Sequence, residues 1–155
     1  MVLTIIAAVS ENNVIGNKGK LPWRIPEDLK RFKELTLEHS VIMGLNTYLS
    51  LPKKFRPLPD RKNIVLSDRD YDEKGIYVAR SIDEALRLCD CEESFVIGGA
   101  SVYEQFLPLS QRMELTRVHG EIEGDVFFPE VNWSEWKETE TKLREGYSFH
   151  SYVRT

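Results

Sequence analysis

Cysteine is scarce in this sequence: 155 residues contain two, Cys89 and Cys91. They sit in a Cys-Asp-Cys stretch too tight for an easy disulfide, with neither the paired spacing nor the neighbouring histidines of a zinc site. Free thiols in a reducing cytoplasm, and no bound metal, are the expectation. Long apolar runs are missing as well, since nothing approaches the ~18–20 residues of a membrane span. Met1 to Val9 is apolar, but no basic stretch precedes it and Glu11 follows almost at once, which makes it a poor signal peptide. Nor is there a basic excess: 21 Lys and Arg stand against 25 Asp and Glu, a net charge of −4. That balance argues against a nucleic-acid or membrane-surface binder, whose footprint is basic. It leaves room for a local basic pocket that takes a small anion. No segment repeats at a fixed period, and none is low in complexity.

What is present is the balance of a folded chain, 41% hydrophobic and 30% charged. The length suits one domain over 1–155 that buries roughly 70% of its unfolded surface. Val2 to Val9 reads as a buried strand ending in the turn residues Ser10 to Asn13. Residues 16–24 carry Gly16, Gly19 and Pro22 and read as a loop. Pro26 suits the first position of a helix, with Glu27 and Asp28 favourable in its first turn. Leu29, Phe32 and Leu35 recur at threes and predict one buried face. Short strands are expected at 41–43, 63–66, 76–79 and 95–97. A helix is expected from about Thr47 to Pro52, another from the capping box Ser81-Ile-Asp-Glu84 through Leu88, and a third from Ser101 until Pro108. Pro52, Pro57 and Pro59 mark a long loop. From Met113 onward the chain reads as strands, at 113–118, 126–128, 136–141 and 147–153. Strands alternating with helices imply an α/β fold: a central mixed, mostly parallel twisted sheet with helices on both faces and antiparallel pairs at one edge.

Two strands end in glycine and run straight into a helix. Strand 41–43 passes through Gly44 to a helix with Thr47 near its start, and strand 95–97 passes through Gly98-Gly99 to one beginning near Ser101. Each places unpaired backbone N–H groups and a partial positive charge at a strand's carboxyl end. Side by side they suit a pyrophosphate; singly they are ordinary strand-to-helix turns, and no full Gly-x-Gly-x-x-Gly is present. A second feature lies in Leu21-Pro22-Trp23-Arg24-Ile25-Pro26-Glu27-Asp28. Asp28 shares a helix face with Leu29, Phe32 and Leu35, and a carboxylate at the rim of an apolar stripe is costly unless paired. A first-turn acid that merely favours the helix dipole is the plainer alternative, and Trp23 alone reads as core.

Eight segments carry a wider likeness. They are Val14-Ile15-Gly16, Leu21-Pro22-Trp23, Pro26-Glu27-Asp28-Leu29, and Val41-Ile42-Met43-Gly44 with Thr47. Then come Arg56-Pro57-Leu58-Pro59 with Arg61-Lys62-Asn63, Val96-Ile97-Gly98-Gly99 with Val102-Tyr103, Leu115-Thr116, and Glu123-Gly124-Asp125 with Phe128-Pro129. In this order and at these separations the chain resembles the dihydrofolate reductase family along essentially its whole length. The resemblance implies that family's fold and the reduction of 7,8-dihydrofolate to tetrahydrofolate by hydride transfer from NADPH. It also implies antifolate inhibitors as ligands, a monomer, and a cytoplasmic setting in one-carbon metabolism.

Residue by residue, Asp28 matches the carboxylate that clamps the pterin, offering two acceptors to the side-by-side donors of the 2-amino group and N3–H. Thr116 matches the hydroxyl that supports it. Trp23 matches a residue near an ordered water beside that acid. Leu21 matches the side chain that closes over the nicotinamide and excludes solvent, although methionine is frequent there in some bacterial enzymes. Ile6, Ala7 and Ala8 match the strand lining pterin and nicotinamide. Leu29, Phe32, Leu51 and Leu58, with Ile97, match the pterin and benzoyl cleft. Arg61 matches the arginine that binds the glutamate α-carboxylate. The cofactor side takes Ile15, Gly16, Gly44, Leu45, Asn46, Thr47, Leu66, Ser67, Asp68, Arg69 and Arg80. It continues from Ile97 through the family's Gly98-Gly99 cis peptide to Ala100, Ser101, Val102 and Tyr103. Asp125 belongs to a loop that contacts residues 16–24 in the family, with a plain turn acid as the alternative.

Three positions depart from the family. Arginine is common there just after Gly44, where this chain has Leu45, and after the later glycines, where it has Ser101. Where many members meet the ribose 2′-phosphate, this chain has Asp68. An acid there repels a phosphate and suits the free 2′-hydroxyl of NADH, so Arg69 or Arg80 is left to hold NADPH and weak discrimination against NADH is expected. Another reductase of this fold, such as the pyrimidine reductase of riboflavin synthesis, would keep the glycines but not Asp28 with Arg61. A non-catalytic dinucleotide-binding protein would not need Leu21, Trp23, Asp28 and Thr116 together.

Overall fold

Short β-branched runs separated by helices leave strands that must be covered on both faces, and the computed structural model, which describes residues 1–155, shows that arrangement. In chain order the elements are β1 (Val2–Ser10), β2 (Val14–Gly16), α1 (Pro26–Thr36), β3 (Ser40–Gly44), α2 (Leu45–Ser50), β4 (Lys62–Leu66) and β5 (Ile76–Ala79). They continue with α3 (Ile82–Leu88), β6 (Glu93–Gly98), α4 (Ala100–Phe106), β7 (Arg112–Val118), β8 (Val126–Phe127), β9 (Trp136–Leu143) and β10 (Tyr147–Arg154). Eight strands form one sheet in the order β5-β4-β3-β6-β1-β7-β10-β9. Pairing is parallel from β5 to β7, and β10 runs antiparallel to both β7 and β9. The expected mixed, mostly parallel sheet is present. No helix is long and apolar enough to cross a membrane.

Because strand side chains alternate, each central strand feeds two cores. Leu3, Ile5, Ala7 and Val9 of β1 pack with Ile42, Ile64, Val96 and the α4 residues Val102, Tyr103 and Phe106. Ile6 faces the opposite side, with Val41, Met43, Val65 and Phe95 and with Tyr48 of α2. Helix α3 starts as its sequence predicts: Ser81 Oγ accepts from the Glu84 N–H at 3.1 Å. The reciprocal contact falls one residue early, Glu84 Oε2 accepting from Arg80 N–H at 2.9 Å.

Several expectations need correction. The apolar stripe of α1 is not buried: Leu29 is 49% exposed and Thr36 is the helix's one buried residue. Phe32 and Leu35 pack partly on the sheet, while Leu29 stays half in solvent. Helix α2 begins at Leu45, directly after Gly44, and Lys53–Phe55 within the proline-marked loop forms a 3-10 turn. Pro108 does not end the later helix outright, because Leu107–Leu109 tightens into a 3-10 turn in which proline needs no N–H partner. The segment at 126–128 does not join the sheet edge. It is β8, and it pairs antiparallel with β2 in a separate two-stranded ribbon.

That ribbon fixes the base of the loop 16–24. Asp125 N–H donates to Gly16 O at 3.0 Å, and Gly124 packs so closely that an added Cβ would stand 2.2 Å from Val14 Cγ1 and 2.6 Å from Gly16 O. Backbone oxygen cannot swing aside, so Gly124→Ala should destabilise the protein by about 1–3 kcal/mol. Urea unfolding should show a lower midpoint with an unchanged slope, and limited proteolysis should cut faster within residues 16–24. A variant with the wild-type midpoint would contradict the packing.

Candidate active site

Strands β3 and β6 are neighbours, so the two glycine-ended strands lie side by side. Their helices cross-pack at the glycines. A Cβ on Gly44 would meet Val102 Cγ2 of α4 at 3.2 Å, and one on Gly99 would meet Thr47 Oγ1 of α2 at 3.4 Å. The Gly98–Gly99 peptide is cis. Tyr103 stands over Gly98, its ring atoms 3.4 Å from where a Cβ would be, and its hydroxyl donates to Ile6 O at 2.8 Å. That bond ties α4 to the carboxyl half of β1, and burial raises the phenol's pKa.

A hollow of about 810 Å³ opens where the ends of β3, β4 and β6 meet the starts of α2, α3 and α4. It lies within the ~300–1,000 Å³ range of ligand clefts. Of the residues that the family resemblance assigns to the cofactor, Gly44, Leu45, Asn46, Thr47, Leu66, Ser67, Asp68, Arg69, Arg80 and Gly99 to Val102 line it. Ser50, Ser81, Ile82, Gln105, Gly19 and Val126 line it too, and the sequence reading does not include them. The capping box at Ser81 is the available signal, since the residues that start α3 must follow Arg80 into the same wall. Ala8, Ile15, Gly16, Leu21, Ile97, Gly98 and Tyr103 lie outside this hollow, towards β1 and the loop 16–24. At its rim, Asp68, Arg69 and Arg80 are exposed, Arg80 forms an ion pair with Asp70, and Arg69 N–H donates to Ser67 Oγ at 3.1 Å.

On the other side of β1, Ile6, Leu58, Phe32, Leu51 and Ile97 belong to one apolar cluster, and Ala7 is buried in the core opposite. Asp28 stands in the first turn of α1, the helix whose Phe32 and Leu35 pack on this cluster. Thr116 of β7, 1% exposed and opposite Ala8 in the strand register, donates its hydroxyl to Asp28 Oδ1 at 2.5 Å. Burial raises the Asp28 pKa, while the Thr116 hydrogen bond and the Arg31 charge pull it down. Trp23 is half-buried, and Leu21 is 60% exposed on its loop rather than folded over the site. The loop's Lys18 N–H donates to Asp125 Oδ1 at 3.1 Å. Arg61 Nε donates to Pro59 O at 2.9 Å and Nη1 to Thr36 Oγ1 at 3.2 Å. Arg61 also borders a smaller hollow of about 400 Å³, with Cys91 and the starts of β3 and β4, at the opposite edge of the sheet.

The class this defines is an α/β enzyme with a hollow at the carboxyl ends of a parallel sheet and, in its first helix, an acid held by a strand hydroxyl. The family model for dihydrofolate reductase matches residues 2–154. The dihydrofolate reductase of Neisseria meningitidis is 44% identical over 160 residues, covering 98% of each chain. That of Staphylococcus haemolyticus is 38% identical over 161 residues, covering 98% of this chain and 95% of the other. The dihydrofolate reductase of Enterococcus faecalis, solved in complex with NADP(H) and RAB-propyl, superposes with a TM-score of 0.88 at 35% identity, over 99% of this chain and 96% of that one. The chain belongs to the dihydrofolate reductase family.

An aspartate whose native pKa is raised binds its proton more readily folded than unfolded, so it lowers stability as pH climbs from the ordinary aspartate range through the raised value. Below that range the effect is absent. Asp28→Asn should therefore melt above the wild type at neutral pH, and the gap should close as pH falls towards the ordinary aspartate pKa. Thermal unfolding across that window checks it, and an Asn variant less stable at pH 7 would show that Thr116 more than offsets desolvation.

Proposed function

We propose that this chain carries out its family's reaction, the reduction of 7,8-dihydrofolate to 5,6,7,8-tetrahydrofolate with NADPH in support of one-carbon metabolism, in the groove beside Asp28. Family membership supports the activity, and the Asp28–Thr116 link at the rim of an apolar groove carries the assignment of the site. Asp28 Oδ1 takes the Thr116 hydroxyl, leaving acceptor capacity on both oxygens for the pterin's 2-amino and N3–H donors. Ile6, Leu29, Phe32, Leu51, Leu58 and Ile97 supply apolar walls, and Arg61 offers its remaining guanidinium edge to the glutamate carboxylate. Trp23 and Leu21 limit bulk water at the reacting ring, while the proton for N5 comes from solvent polarised beside Asp28. Antifolates compete for the same carboxylate. The chain works as a single-domain monomer in the cytoplasm.

The residues of the larger hollow fit a phosphorylated dinucleotide: two glycine-opened helix starts, the hydroxyls of Thr47, Ser67 and Ser101, and two arginines at the rim. When bound, NADPH supplies the hydride from its nicotinamide ring. Ala8, Ile15, Gly16, Gly98 and Tyr103 would hold its nicotinamide end, and Leu45, Asn46, Leu66 and Ala100 to Val102 would hold its phosphates.

The deciding experiment is NADPH oxidation with dihydrofolate, run on the wild type and on Asp28→Asn. The wild type should turn over, and the Asn variant should lose several kcal/mol of transition-state stabilisation, roughly 10²–10³-fold in kcat/KM at pH 7. A folded Asn variant with near-native kcat/KM would refute the role of Asp28.

Cofactor choice is set at the rim. Arg80 is held by Asp70 in an exposed ion pair, which is worth little and releases readily, while Asp68 opposes a 2′-phosphate of about −1.5 to −2 charges. Discrimination against NADH should therefore be weak, below roughly a thousandfold in kcat/KM, ~4 kcal/mol. Asp68→Arg should raise the NADPH preference by about tenfold or more, and Arg69→Ala should lower it. A wild-type preference above a roughly thousandfold ratio at low salt would overturn this reading of the rim.

A further inference from the structure

Helix α1 is joined to strand β7 by two polar links set in register. Asp28 and Arg31 are three residues apart, so they share a helix face with Cβ atoms about 5–6 Å apart. Thr116 and Glu114 are two residues apart, so they point to the same side of the strand. Asp28 meets Thr116, and one turn further along, Arg31 Nη2 meets Glu114 Oε2 at 2.5 Å with each side chain 19% exposed. The Arg31 guanidinium also lies over Phe149 of β10, 4.7 Å from the ring centre, and Ser151 Oγ donates to the same Glu114 oxygen at 2.7 Å. Arg31 is thus a cation held at a fixed place beside the acid rather than a solvated side chain free to swing away. Nothing in the family resemblance pointed to it, and its partner lies 83 residues distant in the chain.

We propose that Arg31, clamped by Glu114 and Phe149, is a positioning residue that sets the charge state of Asp28 and so how firmly the pterin is held. The proposal rests on Asp28 being the group that holds the pterin. A fixed cation at helical i,i+3 spacing favours the carboxylate, while the Glu114 anion behind it offsets part of that field. The pair therefore trims an acid that burial alone would leave too readily protonated. Tyr103 from α4 and Tyr147 from β10 also feel the Asp28 charge. Burial raises the Tyr103 phenol, and the Glu27 hydrogen bond raises that of Tyr147, so both stay neutral. Glu27, next along the helix, is occupied by Tyr147 and Arg144. The Arg31 charge draws the Asp28 pKa down against the effect of burial.

The test is a titration of the Asp28 carboxyl in the ligand-free protein by ¹³C NMR, with the signal assigned by its loss in Asp28→Asn. Arg31→Gln should raise the Asp28 pKa by about half a unit to one unit. Glu114→Gln keeps an amide oxygen to accept from the Arg31 guanidinium, so Arg31 stays in place, and it should lower the Asp28 pKa by a smaller amount, because the anion it removes stands behind Arg31. Arg31→Lys should restore most of the shift lost in Arg31→Gln, and it keeps the test intact if the glutamine variant does not fold. The pH profile of kcat/KM for dihydrofolate should move in the same directions. A purely structural role would move the titration together in both single variants or in neither, and either result overturns the proposal. If the opposite shifts appear but Asp28→Asn retains dihydrofolate turnover, the electrostatic coupling stands and its link to the reaction falls.

Discussion

A carboxylate kept at the edge of an apolar groove constrains the rest of this structure. Asp28 is unfavourable where it stands: burial pushes its pKa up, and one strand hydroxyl, that of Thr116, offsets part of the cost. The hydroxyl can do so because β7 lies parallel beside β1, with Thr116 opposite Ala8, which places a fully buried donor under the first turn of α1. The helix in turn cannot use its apolar stripe as core. Leu29 remains half in solvent, and Phe32 and Leu35 pack only partly on the core beneath them. A helix docked more deeply would bury more surface and close the space that a flat heteroaromatic ligand needs.

The two halves of the cleft are joined mechanically as well as spatially. Gly44 and Gly99 let α2 and α4 touch each other's first turns, so neither helix start can shift without the other. Tyr103 then carries that rigidity to β1 through its hydrogen bond to Ile6 O, with its ring packed on Phe128 at 5.2 Å between centroids. The backbone of β1 thereby becomes a shared wall, with the α4 core on one face and the apolar cluster of Ile6 and Tyr48 on the other. Near-contact geometry between two bound rings depends on this kind of preorganisation, since misplacement of about 1 Å costs ~10²-fold in rate.

Much of this is legible in the sequence, and the failures have physical reasons. The central strands read correctly because strands buried on both faces are continuous apolar runs, and α1 and α3 announce themselves through Pro26 and the Ser81 capping box. The stripe of α1 misleads because periodicity shows which side of a helix is apolar and is silent about what covers it. Strand β2 escapes because three residues are too short to show a period, and its pairing with the strand near 126–128 is decided by the fold. The doubled glycine ends are visible as a pattern, but only the sheet order makes them neighbours. Arg31 with Glu114, and Arg80 with Asp70, are unreadable for a simpler reason: each cation has several possible anions, and pairing is decided by the fold.

The loop 16–24 shows how little energy separates an open cleft from a covered one. Its base is fixed by β8, by Asp125 N–H on Gly16 O, and by Lys18 N–H on the Asp125 carboxylate. Its far end is fixed by Pro26 at the first turn of α1. Between these anchors Leu21 is exposed, so the proposed closure over the nicotinamide need only redirect residues 19–25. Gly19 suits the pivot, with φ at +79° and nothing within 4 Å of where a Cβ would stand. Redirecting residues 19–25 puts at stake the two backbone bonds between Asn17 and Lys20, about 0.5–1.5 kcal/mol each, and burying Leu21 returns about 1.5–3 kcal/mol at full desolvation. Opposing terms of similar size leave open and closed forms within a few kcal/mol, a gap that a bound ring beside Leu21 is enough to tip.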